Sequence, residues 1–184
     1  LGYSSSGISG DKTENSQGGT DYWILKLDVS GNIMWQKTIG SDDNDTVADV
    51  EQAADGGFLI GGTASSGVSG DKTVVGDVWI LKLDVNGNIQ WQKGYDFFAN
   101  SNLSNARLTD DGGFIIAGSG TGGIFSDYVV SKLNMNGNSV WEKIYGGDGE
   151  DYLTNLILTD DGGYMVIGQS NSDASGDKTE DSQG

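Results

Sequence analysis

One pattern of residues recurs along this chain, at steps of 56 and then 50 residues. The segment DYWILKLD at 21–28 returns as DVWILKLD at 77–84 and as DYVVSKLN at 127–134. Two further features keep the same spacing, a tryptophan two residues before a lysine and an Asp-Gly-Gly turn: Trp35, Trp91 and Trp141; Asp55, Asp111 and Asp161. A fixed period in this range indicates stacked or radial copies of one supersecondary unit.

Each period holds four short strand-like segments. In the last repeat, residues 152–159 and 164–169 flank a DDGG turn, and in the middle repeat residues 78–84 and 89–95 flank a turn containing Asn-Gly, a strong hairpin signal. Four antiparallel strands in a repeat of this length are typical of a β-propeller blade. The segment 78–84 is apolar on both faces, which fits a blade packed between two others. We expect the recurring tryptophans to pack between blades.

The repeats divide the chain into two complete blades, 46–95 and 102–145, and two half-blades, 1–39 and 151–184. The last 18 residues repeat the phase of the first 18. We therefore predict an all-β fold, a β-propeller arc of four-stranded antiparallel blades with about three blade equivalents in a single repeat region, 1–184. Closed propellers typically have about four to eight blades. We expect the arc to be a fragment of a larger propeller, completed by flanking chain or by a second copy.

The charge and its distribution restrict the partners. The net charge is −17, from 27 acidic and 10 basic residues, and all nine lysines fall at repeat-equivalent positions rather than in a patch. Because phosphate binding needs clustered Lys and Arg, we predict no nucleic-acid partner. No apolar run approaches the roughly 20 residues needed to cross a membrane as a helix, so we expect no membrane span.

The chain contains no cysteine and no histidine. Catalysis by Ser-His-Asp or Cys-His arrangements is therefore excluded, as are the usual zinc and copper sites. The chemistry that remains is that of carboxylates and of cations that bind oxygen ligands.

Acidic residues collect in the two irregular loops of each repeat, a long loop and a medium loop. Flexible, oxygen-rich loops of this kind can hold Ca²⁺, which takes about six to eight oxygen ligands. The candidate ligands are Asp11, Glu14, Asp21, Asp42, Asp43, Asp45, Asp148 and Asp151. The alternative is that these side chains cap turns and accept hydrogen bonds from loop backbone.

Two other candidate sites follow from the loops. A carboxylate-based hydrolase or lyase acting on polysaccharide would need two acids about 5–10 Å apart, yet the acids here recur with the repeat instead of forming one distinct pair. Phe97, Phe98 and Phe125 fall in or beside the irregular segments of the divergent third copy, where exposed rings would bind a glycan or a protein. The alternative is that they fill the gap left by the shortened loop at 118–127.

The motifs resemble the secreted bacterial β-propeller repeats of the SBBP type, as found in Bacteroidetes surface proteins and proteins exported by the type IX pathway. The residues that carry the resemblance are GDKTENSQGG at 10–19, DYWILKLD at 21–28, GNIMWQK at 31–37 and DDGGY at 160–164. The resemblance implies an extracellular or cell-surface location. It implies no settled activity, because fold alone does not define function.

We therefore expect a non-catalytic structural or interaction module of a secreted or surface protein, with calcium as a candidate loop stabiliser. A protein or a glycan would bind at the face that carries the long loops, since loops on a rigid scaffold commonly carry function. The alternative is a glycan-binding or polysaccharide-active propeller.

Overall fold

The structure is a computed structural model that describes residues 2–64, 67–97, 99–121 and 124–183. These ranges contain thirteen β-strands and no helix, and the strands form four antiparallel sheets. The all-β class is thus confirmed, whereas the propeller arrangement stays a prediction. The strands are β1 (Tyr3–Ser4), β2 (Asp21–Leu27), β3 (Ile33–Ile39), β4 (Thr46–Gln52), β5 (Phe58–Thr63), β6 (Val78–Leu83), β7 (Ile89–Tyr95), β8 (Ala99–Leu108), β9 (Phe114–Thr121), β10 (Ser126–Leu133), β11 (Ser139–Tyr145), β12 (Asp151–Leu158) and β13 (Tyr164–Ser170).

The chain separates into two compact units, residues 1–95 and residues 96–184. The first unit holds a sheet of order β1-β2-β3 and a sheet of order β4-β5-β6-β7. The second holds β11-β10-β9-β8 and the two-stranded sheet β12-β13. Within each sheet, consecutive strands of the chain pair with one another, so every sheet is an antiparallel meander or hairpin. The predicted strands at 78–84 and 164–169 differ from β6 and β13 by one residue at the carboxyl end.

The hairpin between β6 and β7 shows why the Asn-Gly turns recur. Asp84 Oδ1 accepts hydrogen bonds from the backbone N–H groups of Asn86 (2.8 Å) and Asn88 (2.9 Å). Gly87 adopts φ +82°, a left-handed conformation that favours glycine. The indole of Trp35 lies over this turn and donates from Nε1 to Val85 O at 3.1 Å. Trp35 of the first sheet therefore packs on the hairpin of the neighbouring sheet, as expected for this tryptophan.

The Asp-Gly-Gly turns are tied to the following hairpin by ion pairs. Lys82 Nζ, on β6, lies 3.0 and 2.8 Å from the two carboxylate oxygens of Asp55 in the turn between β4 and β5. Lys132 makes the same contacts with Asp111, at 3.0 and 2.9 Å. Hydrogen bonds from Lys82 and from Gly57 N–H lower the pKa of Asp55. The lysine of the LKLD motif and the aspartate of the turn thus recur together because they pair.

The core of the first unit lies between its two sheets. All six residues of β6 are buried. Trp79 and Tyr22 pack with ring centroids 5.3 Å apart, together with the aliphatic residues of both sheets. Trp35 and Phe58 meet edge to face at 5.8 Å. Apolar residues on both faces of a strand are expected when other layers cover both faces of its sheet.

The second unit repeats this packing. β12 and β13 lie against the β8–β11 sheet, where Leu153 and Leu156 contact Ile115 and Val130. Trp141, the counterpart of Trp35, lies 6.0 Å from Tyr164, the counterpart of Phe58. Equivalent residues therefore make equivalent contacts in the two units.

Candidate functional site

The long loops are closed by lysines, of which Lys12 and Lys72 are buried and Lys178 is half-buried. Lys72 is fully buried and donates to Gly67 O at 2.9 Å. Lys12 donates to Ser6 O at 2.7 Å and to Ser16 Oγ at 2.8 Å, and Lys178 contacts Ser172 O and Ser182 Oγ. The lysine of the GDKT motif is thus an internal anchor, because a buried ammonium group needs acceptors from its own surroundings.

A glutamine on the last strand of a sheet binds each of two long loops, those that contain Asp11 and Asp71, to its own sheet. Gln92 Oε1 accepts hydrogen bonds from Trp79 Nε1 and from Thr73 N–H, both at 3.0 Å, and its Nε2 donates to Asp71 O at 2.9 Å. Gln36 makes the same three contacts with Trp23, Thr13 and Asp11. One side chain therefore connects the third strand, the fourth strand and the loop.

The third copy of the repeat lacks all members of this arrangement. The tryptophan is replaced by Val129, the glutamine by Glu142, and the GDKT loop by a short connection. The tryptophan, the glutamine and the loop are absent together because the glutamine has no hydrogen-bonding role without the indole N–H and the loop backbone that it joins.

Neighbouring sheets are fastened where a medium loop meets the next long loop, an arrangement that we call the loop junction. In the first unit the junction consists of residues 40–45 and 67–76, and Asp71 N–H donates to Gly40 O at 2.8 Å. Asp42 N–H donates to Ser69 Oγ at 2.9 Å. In the second unit the junction consists of residues 146–150 and 171–183. Equivalent bonds there run from Asp177 N–H to Gly146 O at 2.9 Å and from Asp148 N–H to Ser175 Oγ at 2.8 Å.

Two carboxylates are buried at the first loop junction, Asp21 and Asp45, both with 0% of their surface exposed. Asp45 accepts hydrogen bonds from Ser41 N–H at 2.6 Å and from Ser41 Oγ at 3.0 Å. Asp21 Oδ2 accepts from Gln17 N–H at 2.7 Å, while Oδ1 has no hydrogen-bond partner among the described residues. Gly40 makes room for this group, because a β-carbon there would lie 1.9 Å from Asp21 Oδ1.

The buried charges at this junction change the pKa values of their neighbours. Burial raises the pKa of Asp45, and the negative charge of Asp21 raises it further, against the hydrogen bonds from Ser41 and the positive charge of Lys72. Burial, with a contribution from Asp45, also raises the pKa of Tyr22 well above its ordinary range. The ionised form of Asp45 is therefore disfavoured here relative to water.

The second loop junction contains an equivalent buried carboxylate, Asp151, but the effects on its pKa add up differently. Burial acts to raise the pKa of Asp151, but hydrogen bonds from Ser170, Gly147 N–H and Ser172 outweigh it, and the pKa is lowered. Asp127, the counterpart of Asp21, is only half-buried because no long loop covers it. Its pKa is raised by burial and by the charges of Asp151, Asp177 and Glu150.

The structure disperses the residues predicted to bind calcium. Glu14 points to the end of β3, where it accepts from Thr38 N–H at 2.5 Å and pairs with Lys37 at 3.5 Å. Asp21 and Asp45 do come together. The described residues contain no group of three or more carboxylates arranged to hold a metal ion. Asp151 is buried at the second loop junction, and the other four candidates are exposed on their loops: Asp11, Asp42, Asp43 and Asp148.

The three candidate aromatic residues differ in their accessibility. Phe97 is buried, with 6% of its surface exposed, so its ring offers no free face to a partner. Phe98 lies outside the described residues. Phe125 is 40% exposed beside Ile124, which is 86% exposed. Both line a cavity of about 330 Å³ together with Asp127, Gly147 and Asp148, on the long-loop side of the second unit.

No protein-family model matches this chain, and no curated protein matches it. Among the described residues, no helix has the length and apolar character required to cross a membrane. The resemblance to SBBP-type repeats thus stays an expectation from the motifs.

We predict that Gln92→Ala lowers the free energy of unfolding by about 1–3 kcal/mol, because buried hydrogen-bonding groups of Trp79 and the loop backbone lose their partner. The measurement is urea unfolding followed by tryptophan fluorescence. The matched control is Glu142→Ala, at the equivalent position of the repeat that lacks the loop. Equal losses for the two variants would contradict the role given to Gln92.

We also predict opposite pH dependences for Asp45→Asn and Asp151→Asn. The raised pKa of Asp45 means that its ionised form destabilises the fold. Wild type therefore gains stability as the pH falls from about 7 towards about 4 and Asp45 becomes protonated, whereas Asp45→Asn does not. The stability of Asp45→Asn relative to wild type is thus highest near pH 7 and falls towards about pH 4. The lowered pKa of Asp151 means that its carboxylate stabilises the fold above its ordinary pKa of 3.8. Asp151→Asn is therefore least favourable near pH 7 and recovers below about pH 4.

The relevant quantity is the difference in unfolding free energy between each variant and wild type, measured by denaturant titration across this pH range. Taking differences cancels the titration of the other acids. Parallel pH profiles for the two variants would show that the two junction carboxylates are not in opposite environments.

Proposed function

We propose that this chain is a non-catalytic structural and interaction module of a secreted or cell-surface protein, built from β-propeller-type repeats. The observation that carries the proposal is the repetition of the loop junction. The same bonds from the long loop to the medium loop occur in both units, at Asp71–Gly40 and at Asp177–Gly146. Groups that repeat with the fold and hydrogen-bond to it have a structural role, whereas catalytic groups commonly occur once per molecule.

The accessibility of the acids supports the same proposal. Asp45, a carboxyl group with a raised pKa, is the type of group that could act as a general acid. It is fully buried and held by Ser41, so a polymer chain cannot reach it. The proposed extracellular or surface location depends on the resemblance of the motifs and on the strong negative charge, −17.

A glycan-binding or polysaccharide-active role is a second candidate, and one feature of the second unit favours it. Asp127 has a raised pKa, while neighbouring Glu150 has a pKa lowered by hydrogen bonds from Ser126 and Tyr152. Two acids whose environments separate their pKa values are the usual acid and base of glycosidases. Asp127 also borders the cavity that Ile124 and Phe125 line.

An assay of reducing-end release from a panel of soluble polysaccharides separates these two functions. If the chain is a non-catalytic module, wild type releases no more reducing ends than the Asp127→Asn variant does. The enzyme would replace the proposal if wild type releases reducing ends, Asp127→Asn abolishes the release, and Asp42→Asn retains it. Asp42 serves as the control because it is an exposed acid on another loop. Binding of the same polysaccharides without release, measured by calorimetry, would instead support a glycan-binding module.

We propose further that any stabilisation by calcium acts at Asp21 and Asp45. Asp21 Oδ1 is a buried carboxylate oxygen without a hydrogen-bond partner in the described part of the chain, and the charge of Asp21 acts on Asp45. The other predicted ligands lie on other parts of the loops. A cation here would offset the repulsion between the two carboxylates, with backbone or water oxygens completing its ligands.

Calcium at roughly millimolar concentration is therefore expected to raise the melting temperature above that in chelator, as any ligand of the folded state does. Asp21→Asn should abolish the rise, and Asp42→Asn should retain it. A melting temperature that does not respond to calcium would remove the ion from the proposed function.

A further inference from the structure

Two strands at opposite ends of the chain carry open edges. β2 pairs with β3 on one side, whereas on the other side β1 lies opposite Tyr22 and Asp21, and the Trp23 N–H donates to Gly2 O at 3.1 Å. No strand in the described ranges opposes residues 25–27 on that side. Among the strands of the described ranges, β13 pairs only with β12. Open strand edges present unpaired backbone N–H and C=O groups that another strand can bind.

The repeat shows which strand fits each edge, because the equivalent strands pair in both complete sheets. β5 pairs with β6 through Phe58 opposite Leu83, Leu59 opposite Lys82 and Ile60 opposite Leu81. β9 pairs with β10 in the same register, through Phe114 opposite Leu133, Ile115 opposite Lys132 and Ile116 opposite Ser131. β13 is the copy of β5 and β9, and β2 is the copy of β6 and β10.

We propose that β13 of one molecule pairs with β2 of a second copy of this chain, with Tyr164 opposite Leu27, Met165 opposite Lys26 and Val166 opposite Leu25. The pairing would form a four-stranded sheet of the kind seen in β4–β7, with β12 and β13 from one molecule and β2 and β3 from the other. It rests on the proposed function as an interaction module and specifies the partner.

Charge complementarity supports this register. In both complete sheets the lysine equivalent to Lys26 pairs with the aspartate of the Asp-Gly-Gly turn, as Lys82 with Asp55 and Lys132 with Asp111. Lys26 has no such carboxylate, and its ammonium group contacts only Leu27 O and Met34 Sδ among the described atoms. Asp161 has the turn hydrogen bonds from Thr159 and Gly163 but no lysine. The proposed register brings these two unpaired charges together.

Apolar complementarity points to the same partner. Met165 is 59% and Ile167 is 64% exposed on one face of β13, although the counterpart of Met165 in each complete sheet, Leu59 or Ile115, is fully buried. Beside the open edge of β2 lies a cavity of about 630 Å³ whose walls include Ile24, Leu25, Val50, Phe58 and Ile60. In the proposed register Met165 and Ile167 share the face of Lys26 and Ile24, which is the face turned towards the β4–β7 sheet. The two exposed side chains would therefore fill this cavity.

β1 already occupies the end of the β2 edge in the proposed register. Tyr3 lies opposite Tyr22 and Ser4 opposite Asp21, which are the positions that Gln169 and Ser170 would take. β1 has only two residues, and Tyr3 is largely exposed. The incoming β13 would displace this short strand at little cost in buried surface.

Disulfide cross-linking tests the register directly, because the chain has no cysteine of its own. Chains carrying Leu25→Cys or Lys26→Cys are mixed with chains carrying Val166→Cys or Met165→Cys and then mildly oxidised. The proposal predicts mixed dimers for the pairs 25 with 166 and 26 with 165. Using both pairs samples the two kinds of antiparallel pair, which differ in Cα separation. The same four proteins recombined as 25 with 165 and 26 with 166 are the controls.

Equal yields in all four mixtures, or no mixed dimer in any, would overturn the proposed pairing, provided that thermal melts show each variant to be folded. Because each chain carries a single cysteine, a mixed dimer can form only between two molecules.

Charge reversal provides an independent test by sedimentation equilibrium. Lys26→Glu and Asp161→Lys should each weaken self-association by about tenfold, and the double variant should recover it. The matched control is Lys37→Glu, a lysine of β3 away from the open edge, which should leave self-association unchanged. A monomer at every concentration, or a double variant no stronger than either single one, would overturn the proposal. Polysaccharide release has no bearing on these readouts, so failure of the pairing is distinguishable from failure of the proposed function.

Discussion

The structure depends on the burial of sheets that are apolar on both faces. All six side chains of β6 are buried, and seven of the eight residues of β9 are buried. Such a sheet is stable only when both of its faces are covered. The effect of incomplete cover is visible within the chain, since Leu81 is fully buried and its counterpart Leu25 is 40% exposed. Sheet-to-sheet packing is therefore the main source of stability, and the two smaller sheets leave apolar side chains such as Leu25 and Met165 exposed.

The loops determine how the packed sheets are positioned against each other. Apolar faces alone permit sliding, because the hydrophobic effect has no direction. The bonds Asp71 to Gly40 and Asp177 to Gly146 have direction, and they position each sheet against its neighbour. Lys72 and Lys178 hold the backbone of the long loops that supply these bonds. The acidity of the loops is thus in part structural, since Asp45 and Asp151 accept hydrogen bonds from the loops that they hold.

The periodicity of the sequence predicted the strands well, because alternation and Asn-Gly or Asp-Gly-Gly turns are local signals. The contacts of the loops could not be predicted in the same way. Gln92 joins Asp71 and Trp79, which lie 21 and 13 residues away, and Asp71 reaches Gly40 across 31 residues. No local rule pairs residues at such separations.

One signal was nevertheless present, because the tryptophan, the glutamine and the GDKT loop are lost together in the third copy. The dispersal of the predicted calcium ligands has the same origin, since loop composition does not determine where side chains point.

The loss of one long loop has a chemical consequence. In the first unit Gln17 covers Asp21, which is fully buried. In the second unit the short connection leaves Asp127 half-buried and places the exposed Ile124 and Phe125 beside it. Two residues that are equivalent in the repeat therefore differ in access to solvent and in electrostatic surroundings. Of the two equivalent acids, Asp127 is the one that solvent reaches, because no long loop covers it. The hydrogen bonds that repeat in both junctions hold the sheets together, whereas the burial of this acid differs between the two units.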